Sequence, residues 1–347
     1  MDASGYKAVK EKEMEYARKR VEDIKNSKDK YVLYRDIRPI IDIKQMIESS
    51  VELYSDNIAF HVKDKPGSPY RGITYKEAKA DMDALGTALI SMGLKGKRIA
   101  IVAENRYEWA ISYLAVVCGT GIVVPLDKEL RALELEQLIK ESEAECIIYS
   151  SKYEPYFLEM RARGETKLRY LVNMDKEISD ETTFSWREIT EAGKVLIGNG
   201  NREFLDAQIE RDAMSILLFT SGTTGIAKGV MLSHGNIVED VMASPTMIKV
   251  VPEDVFFSVL PLHHTYECSC GFLMPLYLGA SIAYCEGLKY IVKNLSEAKP
   301  TFFLGVPLIF EGLYKKIWKN AKKSGKAGTL KKAIKINRLT KKIGIDL

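Results

Sequence analysis

A strand-like apolar run that leads into a loop of glycine, threonine and lysine is the feature that most constrains this chain. Residues 215–230 read Ser-Ile-Leu-Leu-Phe-Thr-Ser-Gly-Thr-Thr-Gly-Ile-Ala-Lys-Gly-Val, and a second short apolar run follows. Glycines let consecutive backbone N–H groups point at an anion, the hydroxyls add donors, and Lys228 adds a positive charge. We therefore predict a buried strand that ends in a phosphate-binding loop.

This loop supplies the predicted nucleotide-binding residues, which are Thr220, Ser221, Gly222, Thr223, Thr224, Gly225 and Lys228. Two residues separate the second glycine from the lysine, so the spacing is not that of a Walker A loop, and it is not G-x-G-x-x-G either. The spacing therefore disfavours a general P-loop nucleoside triphosphatase. A surface loop that is merely rich in glycine is the ordinary alternative, but such loops rarely lie between two apolar runs.

Charge is distributed unevenly along the chain. The 347 residues are 46% hydrophobic and 28% charged, which is typical of a globular protein with room for more than one core. Residues 315–347 hold twelve lysines and arginines and one acid, whereas the rest carries a net charge of −7. The basic residues 315–342 suit two solvated helices, which we favour, or a peripheral contact with an anionic membrane. Because aromatic residues are sparse there, nucleic acid is not an expected partner.

Cysteines and long uncharged runs give no sign of a disulfide framework or a membrane span. The five cysteines lie scattered in apolar segments, without zinc spacing, as in a protein of a reducing cytosol. The uncharged runs 110–126 and 268–285 both contain glycine and proline, and each therefore predicts a helix, a turn and a strand. The N-terminus is charged and shows no signal peptide. We expect a cytoplasmic protein, and the alternative is a cytoplasmic protein in peripheral contact with a membrane.

Strands and helices alternate from residue 97 onwards, which predicts parallel sheets covered on both faces. The expected fold class is α/β, with two parallel βα subdomains. We place a helical arm at 1–45 and a large domain at 46–347. Its first subdomain spans about 96–250 with the phosphate loop, and its second combines about 46–95 with 251–347. Residues 174–213 are polar, and we expect them to be peripheral.

A second chemical stretch, Leu-Pro-Leu-His-His-Thr-Tyr-Glu, occupies residues 260–267 directly after a predicted strand. Open α/β sheets place ligands at the C-terminal ends of their strands. Histidines in an apolar setting are more often hydrogen-bonded core residues, so both interpretations stay open at this point. No further ligand cluster lies near, which disfavours zinc.

The loop sequence Phe-Thr-Ser-Gly-Thr-Thr-Gly-Ile-Ala-Lys-Gly resembles the signature of AMP-forming acyl-CoA synthetases, in the adenylate-forming superfamily. It departs at Ala227, where that family usually has proline, and this change removes no ligand group. Residues 260–267 are similar to a stretch of the long-chain members. Three other stretches match in the family's order, at 104–109, 124–127 and 299–307. The resemblance extends from about residue 45 to the end.

The resemblance implies that a carboxylic acid, most simply a medium- or long-chain fatty acid, is converted by ATP to acyl-AMP and then by coenzyme A to acyl-CoA. It implies catalytic roles for Lys228 and His264 and a Mg²⁺ contact for Thr220. It also implies a substrate pocket formed by His264, Thr265, Cys268 and Gly271. No aspartate stands between residues 260 and 276 to pair an amino acid's ammonium. Aryl, short-chain or amino acids, and a non-catalytic nucleotide- or acyl-binding module, stay as alternatives.

Later stretches of the family are not found in this sequence. These are the Tyr-Gly-x-Thr-Glu motif, the ribose-binding aspartate and the C-terminal domain with its adenylation lysine. The resemblance therefore implies the N-terminal portion of the large domain, with the C-terminal domain absent. We expect this chain alone to turn over little substrate.

Overall fold

The computed structural model describes residues 3–220 and 227–341. The chain divides into two compact units, Met1–Phe303 and Leu304–Leu347. The first unit contains two β-sheets with helices on their faces, and the second contains a pair of helices.

Helices of the first unit are α1 Ala3–Asn26, α2 Ile43–Tyr54, α3 Tyr75–Leu89, α4 Tyr107–Ala115, α5 Ala132–Ser142, α6 Glu154–Arg163, α7 Trp186–Gly198, α8 His234–Ala243, α9 Met274–Leu278 and α10 Ile291–Ala298. The second unit holds α11 Pro307–Lys323 and α12 Ala327–Lys341. Strands are β1 Ile58–Val62, β2 Arg71–Thr74, β3 Lys97–Val102, β4 Gly121–Pro125, β5 Cys146–Tyr149, β6 Tyr170–Asn173, β7 Phe184–Ser185, β8 Met214–Thr220, β9 Lys228–Ser233, β10 Val255–Ser258, β11 Ser281–Tyr284 and β12 Phe302–Phe303. Wider π-helical turns occupy Ile90–Leu94, Val116–Thr120 and Glu267–Leu273.

The larger sheet has seven strands in the order β7-β6-β5-β3-β4-β8-β9. Its neighbours run parallel except for β8 and β9, which form an antiparallel pair. Strand β3 lies between β4 and β5, so the chain leaves β3 toward one side and later returns to the other. Such a reversal opens a crevice at the carboxyl ends of the strands.

The smaller sheet has five strands in the order β12-β10-β11-β1-β2, and only the β1–β2 pair is antiparallel. Strand β10 lies between β11 and β12, which gives this sheet a reversal of its own. The α/β class with parallel sheets is therefore confirmed, with an antiparallel edge strand added to each sheet. The subdomain boundaries stay a prediction.

Side-chain caps begin two of the helices. The Thr74 side chain accepts from the Glu77 N–H and the Glu77 carboxylate accepts from the Thr74 N–H, which makes a capping box at the start of α3. Ser233 caps α8 in the same manner. Both uncharged runs form a helix, a glycine turn and a strand. Within the described residues, no helix is long and apolar enough to cross a membrane.

Residues 174–213 are not peripheral as expected, because α7 packs into the first unit. The Trp186 ring is buried, and its indole N–H donates to the Ser112 hydroxyl at 2.9 Å. A Cβ on Gly193 would stand 1.9 Å from the carbonyl oxygen of Ala84 on α3, so the two helix backbones nearly touch. Because most residues of this segment are polar, its composition did not reveal the buried face of α7.

The N-terminal helix α1 packs against other elements of the first unit rather than extending into solvent. Ala17 and Val21 are buried, and the Tyr6 hydroxyl accepts from the Ile209 N–H at 2.9 Å. Arg20 pairs with Glu239 of α8 at 3.4 Å.

Replacing Gly193 by alanine should destabilise the chain by about 2 kcal/mol or more, because the added methyl group would overlap the α3 backbone. The matched control is Gly198→Ala, at the end of the same helix, where nothing lies within 4 Å of the new Cβ. We expect the control to be neutral or slightly stabilising, since alanine has the higher helix propensity. Urea unfolding checks both variants, and equal midpoints would contradict the close helix packing.

Candidate active site

The β8–β9 hairpin holds the two described ends of the predicted phosphate loop side by side. Thr220 is the last residue of β8 and Lys228 the first of β9, and the two residues face each other in the antiparallel register. Both are exposed, whereas Ile216 and Leu217 anchor β8 in the core. Ser221, Gly222, Thr223, Thr224 and Gly225 lie outside the described residues. The phosphate-binding role of the loop stays a prediction.

The segment 260–267 follows β10 and leads into the π-helical turn Glu267–Leu273. The His264 N–H donates to the Pro261 carbonyl at 3.1 Å, and the His264 carbonyl accepts from the Cys268 N–H at 2.9 Å. These bonds bend the chain into a helix start, with His264 and Thr265 exposed and Cys268 buried. Two of the predicted substrate residues therefore lie at the surface of this turn.

A small, mostly apolar cavity lies where this segment meets the β8–β9 hairpin. Thr265 and Cys268 line it from one side. It is shallow, with about 10 Å³ open to a water-sized molecule. The other lining residues are Tyr113, Pro125, Ile216, Leu218, Leu232, Ile237, Leu262, His263 and Ser269. Of the predicted substrate residues, the structure thus brings Thr265 and Cys268 to one cavity, whereas His264 and Gly271 are not among its described walls.

His263, rather than His264, is the histidine that faces this cavity. Its ring lies 4.1 Å from that of His264, and its Nε2 lies 3.7 Å from Oδ2 of Asp127, at the end of β4. Burial, and next the neighbouring His264, lower the pKa of His263 to about 4. His263 is therefore neutral at pH 7, and its contact with Asp127 is not an ion pair. The sequence did not single out His263, because the residue that matches the family's histidine is His264.

Asn105 ties the two sheets together beside the cavity. Its Nδ2 donates to the Ser258 hydroxyl at 2.9 Å and to the Leu260 carbonyl at 2.6 Å. Its Oδ1 accepts from the Leu262 N–H at 3.2 Å. One amide from the end of β3 thus holds the whole start of the segment 260–267. The matching stretch 104–109 pointed to this residue without giving it a role.

An aromatic cluster supports the cavity from below. Trp109 and Tyr113 of α4 stack with ring centroids 5.3 Å apart, and Phe272 meets Tyr113 edge-on at 5.8 Å. The Tyr113 hydroxyl lies beside the thiol of Cys268. Burial raises the pKa of that thiol to about 12, so Cys268 is a wall residue and not a nucleophile.

A wider, open cleft of the first unit contains none of the predicted site residues. Asn105, Ser258 and Pro261 border it, and many charged side chains line the remainder. Its cations are largely paired inside the cleft, as Arg106 is with Glu108 at 2.6 Å and Lys63 with Glu286 at 2.9 Å. Such self-neutralised walls do not favour an anionic ligand, so the smaller cavity is the better candidate site.

Replacing Asn105 by aspartate should destabilise the chain by about 2 kcal/mol or more. The shape is kept, but an acceptor replaces the Nδ2 donor and faces the Ser258 hydroxyl and the Leu260 carbonyl. Asn57→Asp, at an exposed position, is the control and should change little. Urea unfolding at pH 7 measures the difference, and a variant as stable as the control would show that Asn105 does not join the sheets.

Comparisons with known proteins agree with the geometry. A family model described as AMP-binding enzyme matches residues 47–338. Fatty acyl-CoA synthetase A of Dictyostelium discoideum is 32% identical over 257 residues, which cover 72% of this chain and 38% of that protein. Long chain acyl-CoA synthetase 2 of Arabidopsis thaliana is 28% identical over 315 residues, 82% of this chain and 46% of that protein.

A solved structure, the anthranilate CoA ligase AuaEII in complex with anthranoyl-AMP, superposes with a TM-score of 0.68 at 20% identity. The match covers 78% of this chain and 50% of that one, and it shows a shared fold. The chain spans 38% to 46% of the length of the two curated relatives above.

Proposed function

Because this chain belongs to the AMP-binding enzyme family, we propose that it serves the ATP-dependent activation of a carboxylic acid to an acyl-adenylate and then to an acyl-CoA. The observation that supports this is the β8–β9 hairpin. It sets Thr220 and Lys228 beside each other at its tip, while Ile216, Leu218 and Leu232 of its strands line the apolar cavity. The proposed phosphate-binding end and the proposed acid-binding cavity thus share one element.

The chemistry needs no general base in its first step. A carboxylic acid with a pKa of ~4–5 is already ionised at pH 7. A carboxylate oxygen attacks the α-phosphorus of ATP, and the bond to the bridging oxygen breaks as pyrophosphate leaves. The sulfur of coenzyme A, after loss of its proton, then attacks the acyl carbon and displaces AMP. The site must therefore bring two anions together and stabilise the charge on the leaving pyrophosphate.

Lys228 is a cation at the tip of the hairpin. It would neutralise the β- and γ-phosphates of ATP. The hydroxyl of the exposed Thr220 would offer one oxygen ligand to a Mg²⁺ ion, whose charge would offset that of the phosphates. His264 would orient the carboxylate, and Thr265 and Cys268 would contact the acid's carbon chain. Gly271 is buried behind them, and its substrate role stays a prediction.

A fatty acid of medium or long chain is the substrate that we favour. The cavity walls are mostly apolar, and relatives of this chain are named fatty acyl-CoA or long chain acyl-CoA synthetases. No aspartate stands between residues 260 and 276 to pair an ammonium group.

ATP–pyrophosphate exchange on the product of the gene that encodes this chain tests the proposal, with acetate, benzoate, octanoate and palmitate as acids. We expect exchange with palmitate or octanoate. Lys228→Ala should reduce it roughly 10²–10³-fold, because one cationic contact with the leaving phosphates is lost. Lys249→Ala, at another exposed lysine, is the matched control and should retain the rate.

Other outcomes decide between the alternatives. Exchange with benzoate or acetate alone would keep the mechanism and replace the substrate. ATP binding without exchange for any acid would favour a non-catalytic binding module.

The second unit supports a secondary proposal, a cytoplasmic protein in peripheral contact with an anionic membrane. Its helix α11 exposes apolar side chains, Leu308, Phe310, Tyr314 and Ile317 among them. Lysines follow in the same helix and in α12. Helices that carry both apolar and basic side chains are typical of proteins that lie on anionic lipid.

Sedimentation with vesicles checks the membrane contact. We expect this chain to bind phosphatidylcholine vesicles that contain phosphatidylglycerol, and salt should weaken binding because each surface lysine contributes about 1 kcal/mol. Changing Lys319, Lys322 and Lys323 of α11 to glutamine should release the chain. The same change at Lys12, Lys19 and Lys25 of α1 is the charge-matched control. Equal loss in both triple variants would indicate net charge and not a membrane-binding surface.

A further inference from the structure

A buried carboxyl group lies behind the candidate cavity and has no role in the chemistry above. Glu267 is 1% exposed, at the first position of the π-helical turn that also carries Cys268. Its Oε1 accepts from the Ser258 hydroxyl at 2.7 Å. Its Oε2 has no hydrogen-bond partner among the described residues. Buried polar atoms without a partner are rare and call for a physical explanation.

Gly271 lies directly against this carboxyl group. A Cβ at position 271 would stand 2.7 Å from Oε2 and 2.7 Å from the carboxyl carbon. The carboxyl therefore lies flat on the next turn of its own helix, and a residue larger than glycine would displace it. Position 271, which the sequence predicts to bind substrate, therefore requires glycine because the Glu267 carboxyl packs against it.

Hydrogen bonds connect this group to both sheets. Asn105, after β3, donates to Ser258 at the end of β10, and Ser258 donates to Glu267. Asn105 Nδ2 can only donate, so Ser258 Oγ accepts from it and keeps its own proton for the bond to Glu267. The position of the turn 264–268, and with it Thr265 and Cys268, is thereby set relative to the strand ends.

The surroundings keep the carboxyl uncharged. Ser258 faces it from β10, Tyr284 from β11, and Cys268 and Cys270 from its own helix. Burial raises the pKa of Glu267 to about 8, so the acid form prevails at pH 7. Ionisation would place a charge on Oε2, where the described residues offer no donor.

We propose that Glu267 is a positioning residue for the acid-binding cavity, whose buried carboxyl holds the turn 264–268 between Ser258 and Gly271. Thr265 and Cys268 are thereby kept opposite the β8–β9 hairpin. This inference rests on the proposed acid activation. The inference adds that Glu267 aligns the substrate acid although it contacts neither the acid nor the nucleotide.

Exchange kinetics with the best acid test this role. Glu267→Ala should raise KM for the acid at least about tenfold, with a smaller change in KM for ATP, since the lost hydrogen bond loosens only the cavity wall. Glu267→Gln keeps the shape and the uncharged state, so it should restore KM at pH 7. The wild type should also lose affinity for the acid as pH rises through about 8, and the glutamine variant should not. A wild-type KM in the alanine variant would overturn the proposal.

Stability measurements separate a failure of this inference from a failure of the proposed function. An unfolded glutamate loses its proton near pH 4.5, whereas the folded chain keeps it up to a pH near 8. The folded state binds more protons between these values, so its stability should fall as pH rises through them. Thermal unfolding should show this fall in the wild type and a flatter profile in Glu267→Gln. Equal profiles would overturn the inference whether or not exchange is observed, whereas a difference without exchange would contradict only the catalytic proposal.

Discussion

The hydrogen bond from Asn105 to Ser258 joins the two sheets at the points where each reverses its strand order. Strand β3 has neighbours on both sides in the larger sheet, and β10 has them in the smaller one. Crevices open at the carboxyl ends of such strands, and this bond sets the two crevices edge to edge. The segment 260–267 begins there, held by the same asparagine through Leu260 and Leu262. The candidate cavity depends on that attachment, because its walls come from the segment on one side and from the β8–β9 hairpin on the other.

Buried polar groups around the cavity are uncharged at pH 7. The pKa of His263 is lowered to about 4, and those of Glu267 and Cys268 are raised to about 8 and about 12, in each case mainly by burial. The charges of the described site therefore lie at its edge, on Lys228 and Asp127. An uncharged wall accepts a hydrocarbon chain without leaving a buried charge unpaired, while the cation at the hairpin tip faces the phosphates in the proposed reaction.

Local sequence signals predicted much of the fold. The uncharged runs 110–126 and 268–285 form the helix, turn and strand that their glycines and prolines predict, and a capping box at Thr74 begins α3. These features depend on neighbours within a few residues, so the sequence contains their full cause. Helix α7 was missed because its buried stripe is narrow and its exposed face is strongly polar. The close approach at Gly193 depends on α3, about a hundred residues away in the chain.

The sequence by itself determined which chemistry the chain can support, since a strand, a Gly/Thr loop and Lys228 lie within sixteen consecutive residues. It also placed a second chemical stretch at the end of a strand, and Thr265 and Cys268 do line the cavity beside the hairpin. Only the tertiary structure decided that His263 and not His264 faces that cavity. It also decided that Asn105, Ser258 and Glu267 form one connected group. The physical reason is that burial and hydrogen-bond partners come from distant strands, so neither the pKa nor the orientation of a side chain follows from its neighbours in sequence.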